Sequence, residues 1–239
     1  MPTGSLRALL THLIDYAGLY PPAALPLPDV AANYESYLAS PESWILNRVV
    51  LPAAHLSATR PKWRITLLAE TEPASLPPQV ETIETKLPHK FSLPTYCEAP
   101  LSSIPPGAFA KIRTGGLTPD AIPSSEHIAD FLLEATARHV PFKATAGLHH
   151  PVRSVMHGFL NVFIAAAFAW HGADRAQLLD VLNETGARAF QFGDPGLHWR
   201  GRHLSTEDIA IARRDFAHSF GSCSFEEPLT DLRHLELLP

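Results

Sequence analysis

Short β-type runs punctuate this chain at 48–52 (RVVLP), 64–70 (RITLLAE), 80–85 (VETIET), 94–99 (PTYCEA), 109–114 (FAKIRT), 141–146 (PFKATA), 187–192 (ARAFQF) and 219–225 (SFGSCSF). Each is brief, and most are rich in residues that suit buried strands. Helical spacing alternates with them in the second half. Ile128, Phe131, Leu132, Ala135 and Val140 recur at helical intervals, and 155–170 is almost wholly apolar. Ser125 and Asp174 stand where helix caps are needed, with Gly186 at the far end of the second helix, and Ser205 with Asp208 has the form of a capping box. Residues 229–238 read as a terminal helix. The first half is less regular. Residues 6–16 and 29–38 read as two helices ahead of the first strand, and the connections between the second, third and fourth strands are too short for crossover helices.

This alternation predicts a single α/β domain over 1–239: a (β/α)8 TIM-barrel-like fold with an irregular first half, entered through an N-terminal helical segment at 1–45. An open doubly wound sheet is the alternative. No linker and no fixed-period repeat divides the chain.

Composition narrows the field. The 239 residues carry a formal charge of −5 and no basic run, which argues against a nucleic-acid partner. Two cysteines make no disulfide framework and fit a reduced, cytoplasmic protein. The N-terminal apolar stretch is broken by Arg7, Thr11 and His12, unlike a signal peptide. The apolar run at 159–170 is too short for a membrane span and contains Asn161. Self-association is compatible with a barrel of this size, although no stripe of residues marks an interface.

In a parallel barrel the carboxyl ends of the strands share one mouth. Polar residues at those ends are Glu70, Glu84, Glu98, Lys111, Arg113, Lys143, Thr145, His149, Ser222 and Ser224. Strand alternation puts Lys111 with Arg113 on one face, and Lys143 with Thr145 on another. Such a mixed-charge mouth suits a small anionic metabolite. Lys143, in an apolar cavity near a second cation, is expected to have a lowered pKa and to act as an amine nucleophile; a structural ion pair is the competing reading. Gly115 and Gly116 would let backbone approach an anion gripped by Arg113. Glu70, Glu98 and His149, with His157 nearby, form an alternative divalent-metal set. The loop at 193–204, with His198, Trp199, Arg200, Arg202 and His203, reads either as a lid or as a solvated loop anchored by Trp199. Cys223 reads as a buried thiol.

Three segments together resemble the deoxyribose-phosphate aldolase group of class I aldolases. Residues 13–21 (LIDYAGLYP) resemble that group's opening element, 142–147 (FKATAG) its lysine-bearing strand, and 221–224 (GSCS) its closing phosphate element. The resemblance implies a barrel lyase in which Lys143 forms the imine and Asp15 lies near the mouth. It also implies that Ser222 and Ser224 lie near an anionic tail, and that Glu84 or Glu98 replaces the group's catalytic aspartate. The group's second lysine has no counterpart in 187–192. The segment DYAGLYPPAALP also resembles that of bacterial proteins of unassigned function.

The expected activity is therefore a lyase of aldolase type, without a cofactor, acting on a small anionic carbonyl compound through a lysine imine. Glu98 or Glu84 would shuttle protons, Lys111 would depress the amine pKa, and Arg113 and Ser222 would hold the anion. The alternatives are a divalent-metal hydrolase or isomerase on the same barrel, and a metabolite-binding barrel without catalysis.

Overall fold

Seven of the eight short runs become strands of a closed, all-parallel barrel. The computed structural model describes residues 2–239. Around the barrel run Ile14–Tyr16 (β1), Leu46–Pro52 (β2), Ile65–Leu68 (β3), Val80–Thr85 (β4), Thr95–Cys97 (β5), Phe109–Arg113 (β6) and Phe142–Thr145 (β7). The chain then makes a separate antiparallel sheet, Phe190–Phe192 (β8), Gly196–Trp199 (β9) and Arg202–Ser205 (β10), and returns with Ala217–Ser222 (β11). β11 lies between β7 and β1 and closes the ring. Closure excludes the open doubly wound sheet.

Two expectations fail together. Residues 6–16 are not one helix: helix α1 spans Gly4–Leu10, and β1 follows. The Thr11 hydroxyl turns back onto the Arg7 carbonyl at 2.7 Å, and His12 takes φ of 50°, a left-handed conformation that ends the helix. Ile14 N–H then bonds to the Ile45 carbonyl of the neighbouring strand. All three residues of β1 are buried. A strand covered on both faces shows no alternation, so 13–16 read as one more helical turn. Thus 1–45 is not merely a helical lead-in, since it supplies the first barrel strand. Conversely, 187–192 is not a barrel strand. Ala187–Ala189 is a 3-10 turn, and Phe190 stacks on Trp199 in the side sheet.

The remaining helices are Leu27–Leu38 (α2), Ser125–Ala137 (α3), Phe159–Trp170 (α4), Arg175–Leu182 (α5), Thr206–Asp215 (α6) and Glu226–His234 (α7). From β2 to β6 the connections hold only 3-10 turns at Ala53–Ala58 and Leu101–Ser103. There Trp63 and Phe91 are buried in the core, and Leu76 and Leu93 pack against it, all from segments between strands. Ser124, one residue before the expected cap, accepts from His127 N–H, while Ser125 bonds to Asn183. Asp174 caps α5, and the Ser205–Asp208 capping box is formed.

α4 is buried from Phe159 to Ala169. Phe159 and Phe163 pack on Phe220 of β11, and the helix also meets α3, α5 and α6. Its one polar side chain, Asn161, donates to the Val181 and Glu184 carbonyls at 2.8 Å and accepts from Arg153 N–H at 2.8 Å. Full satisfaction is what lets an amide sit in that core. Among the described residues no helix is long and apolar enough to cross a membrane.

Candidate active site at the carboxyl mouth

Strand register decides the charge pattern inside the barrel. β6 and β7 pair with Lys111 opposite Lys143, so two cations stand side by side. Like charges in that position repel, and Glu84 from β4 resolves the conflict. One of its oxygens accepts from Lys143 Nζ at 2.5 Å and the other from Lys111 Nζ at 3.2 Å. Lys143 also donates to Asp15 of β1 at 2.5 Å, and Lys111 pairs with Glu98 at 2.9 Å. Asp15 is held further by the Ser219 hydroxyl at 2.8 Å and by Arg48 N–H at 3.1 Å. The Tyr96 ring lies beneath, its centroid 5.6 Å from Lys143 Nζ. Two ammonium groups thus meet three carboxylates, and Arg113 lies 3.9 Å from Glu98 at the rim.

Burial alone would push the Lys143 amine down, but Asp15 and Glu84 outweigh it and hold the ammonium above its ordinary pKa. This reverses the expected direction. Lys111 is not free to repel a proton from Lys143, because Glu84 stands between them. Burial likewise works to raise Asp15 and Glu84, but Lys143 together with Arg48 and Ser219 at Asp15, and with Lys111 at Glu84, outweighs it, so each carboxyl lies below its usual range.

Above this layer opens a cavity of about 370 Å³. Glu84, Glu98, Lys111, Arg113, Thr145, His149 and Ser222 all line it. Lys143, 1% exposed, lies one layer below, in contact with Glu84. His149 Nδ1 pairs with Glu227 at 3.0 Å. Cys223 also faces the cavity, and burial raises its thiol pKa, as suits an inert thiol rather than a nucleophile. The loop after β7 is pinned to the loop after β6, where the Thr114 hydroxyl donates to the Ala146 carbonyl at 2.6 Å. Gly147 has φ of 79°, and a Cβ there would lie 2.7 Å from Gly115 Cα. Gly147→Ala is therefore expected to cost about 1–3 kcal/mol. A lower urea midpoint with an unchanged slope would show it.

Several expected participants lie elsewhere. Glu70 is exposed and binds Thr85 and the Lys86 N–H, Glu98 is engaged by Lys111, and His149 by Glu227, so the three do not converge on a metal. His157 is buried between Arg153 and the Pro123 carbonyl. Among the described residues no group of three His, Cys, Asp or Glu is placed to hold a metal ion. Ser224 does not line the cavity, and its hydroxyl accepts from Glu227 N–H at the start of α7. Gly115 meets Gly147, and a Cβ on Gly116 would meet Ala121, so both glycines serve loop packing, while Gly116 also lines the cavity beside Arg113. Residues 196–205 form the β9–β10 hairpin against α1 and α6, with Trp199 bonded to Glu184, and no residue of 193–204 reaches the mouth. The lid reading falls.

Three site residues were not anticipated. Ser219 was missed because the last strand begins at Ala217, two residues earlier than its apolar run suggests. Tyr96 lies inside an anticipated strand, but an aromatic there carries no polar signal. Tyr20 lines the cavity, and its buried hydroxyl has no hydrogen-bond partner among the described residues. Burial, aided by Glu84, pushes its pKa up to about 12, so the phenol remains a donor at neutral pH.

The fold and this layer define a parallel (β/α)8 barrel with a buried lysine–carboxylate cluster at its carboxyl mouth. No family model, no curated protein and no solved structure matches the chain.

Proposed function

We propose that the protein is a lyase of aldolase type whose Lys143 forms an imine with a small anionic carbonyl compound, in keeping with the resemblance of its lysine strand to class I aldolases. The observation that carries this reading is Glu84, which touches the Lys143 amine at 2.5 Å and also faces the cavity. An imine requires a neutral amine. Away from water, an amine beside a carboxylic acid avoids the desolvation cost that an ammonium–carboxylate pair bears. Closing the mouth over a substrate therefore favours passage of the proton from Lys143 to Glu84. The freed amine attacks the carbonyl carbon, one of its two protons and the proton held by Glu84 leave with the carbonyl oxygen as water, and the imine that results is protonated because the other amine proton stays on nitrogen. That imine accepts the electron pair of the breaking carbon–carbon bond and becomes an enamine. Glu84 or Glu98 takes the proton of the β-hydroxyl that becomes the departing carbonyl and supplies the proton that the enamine takes up, after which water hydrolyses the imine and frees Lys143. Tyr20 donates its unpartnered hydroxyl to a substrate oxygen, and Arg113, Lys86 and Ser222 hold the anionic end.

Borohydride added with a panel of small phosphorylated and carboxylated aldehydes and ketones is expected to fix an adduct on Lys143, located by peptide mass mapping. Adducts confined to Lys111 or Lys86, or none across the panel, would sink the proposal. A second reading is a binding barrel without turnover, favoured by the completeness of the ion network around Lys143. It predicts ligand-induced stabilisation with no trapped adduct.

A further inference from the structure

The opposite end of the barrel holds a larger cavity, of about 620 Å³. Its wall comes mainly from the first residues of the strands, including Arg48, Arg64, Tyr96, Phe109 and His218, with Arg213 added from α6. Charge is unbalanced there. Arg48 and Arg64 share one carboxylate, Glu81, at 2.7 and 2.9 Å. Only Nε of the Arg48 side chain is engaged among the described residues, which leaves its terminal nitrogens without a hydrogen bond.

Arg213 is buried and has no carboxylate partner among the described residues. Its guanidinium donates to the Leu9 carbonyl at 2.8 Å, the Thr11 carbonyl at 3.0 Å, and the carbonyls of Ala217 and His218. Burial brings its pKa down to about 9, outweighing the opposing pull of Tyr96 and Asp15. Three guanidinium groups face Glu81, the one carboxylate in the cavity wall. Asp15 offsets part of their charge from behind the wall, since it acts on both Arg48 and Arg213 although Lys143 and Ser219 also engage it. Arg214 is neutralised by Asp215. His218 adds no charge. Burial and Arg213 lower its pKa to about 4, and its Nδ1 pairs with the Tyr96 hydroxyl at 2.8 Å.

Interior cations that outnumber the acids beside them repel one another, and an anion seated among them removes that cost. The remaining wall is apolar, with Phe109, Pro94 and the Tyr96 ring. We propose that this cavity is a second ligand site, for a small organic phosphate whose phosphoryl group meets the free terminal nitrogens of Arg48, beside the positive charge of Arg64, which Glu81 and His12 hold in place, and whose apolar body rests on Phe109. Guanidinium forks match phosphoryl oxygens two at a time. The cavity size suits a whole small metabolite rather than a bare ion. The site is independent of the chemistry at the mouth, from which Tyr96 separates it.

Calorimetric titration of the full chain with phenyl phosphate tests this. One-to-one saturable binding is expected. Arg48→Gln and Arg64→Gln should each weaken it by about tenfold or more, as loss of a charge-assisted contact does. Arg113→Gln, at the mouth, should leave it unchanged. Arg64 is the more exposed of the two bottom arginines, so Arg64→Gln keeps the test readable if Arg48→Gln fails to fold. Absence of saturation by about 10 mM, or wild-type affinity in Arg64→Gln with a loss in Arg113→Gln, would overturn the assignment.

Discussion

Lys143→Met is expected to destabilise the protein by about 3–5 kcal/mol, the cost of leaving buried charges without their counter-ion. For a chain of this size that corresponds to a fall in Tm of roughly 6–20 °C. Methionine fills much of the lysine volume, so packing is largely kept and the effect isolates charge. Asp15 and Glu84 are both almost fully buried and both lose a 2.5 Å partner. Glu84 retains Lys111, and Asp15 retains the Ser219 hydroxyl and the Arg48 N–H. Those contacts leave one ammonium against three carboxylates in the layer. Thermal and urea denaturation at pH 7 would measure the loss.

The pH dependence identifies its origin. The Lys143 pKa is raised on folding, so its stabilisation is present below the unfolded value near 10.4 and fades as pH rises through the folded one. Asp15 and Glu84 are lowered, so theirs is present above about pH 4 and fades as pH falls through the folded values. All three contributions overlap across neutral pH. In Lys143→Met, burial is no longer opposed by the ammonium, the carboxyl pKa values rise, and protonation relieves the strain. The stability gap between wild type and variant should therefore be widest near pH 7 and narrow toward pH 5. A gap constant over that range would place the origin in packing instead.

Much of the barrel was legible in the sequence because strands buried on both faces write themselves as short apolar runs. Runs such as 48–52 and 80–85 could hardly be anything else. The failures have a common cause. A three-residue strand such as Ile14–Tyr16 carries no period, and Phe190–Phe192 is apolar because it packs on Trp199, not because it belongs to the barrel. Pairing partners, which lie far away in the chain, decide both cases. At the site, alternation sufficed to group Lys143 with Thr145 and Lys111 with Arg113. It did not show that β6 and β7 align with the two lysines level, since register is a relation between strands. That register, with Glu84 inserted between the cations, reverses the expected direction of the Lys143 pKa. The loop at 193–204 misled for a similar reason: its cationic and aromatic content suggested a lid, whereas Trp199 anchors a hairpin on the outer wall.

Glu84→Gln is expected to slow adduct formation on Lys143 by about 10²–10⁴-fold, the usual contribution of a positioned proton acceptor. The glutamine amide offers one carbonyl oxygen to two ammonium groups that formerly shared a carboxylate, and its NH2 cannot take a proton from either. Lys143 keeps Asp15 and Lys111 keeps Glu98, so each cation retains one acid and the fold should lose only about 1–3 kcal/mol. The pairing of a large kinetic loss with a small thermodynamic one is what separates proton transfer from scaffolding. Asp15 cannot substitute as the acceptor. Ser219 and the Arg48 N–H stabilise its ionised form, which opposes its taking the proton. Borohydride trapping followed by intact-mass spectrometry over time gives the rate directly. A wild-type trapping rate in Glu84→Gln would exclude Glu84 as the base and leave its contacts with Lys143 and Lys111 a structural device that holds β4, β6 and β7 in register.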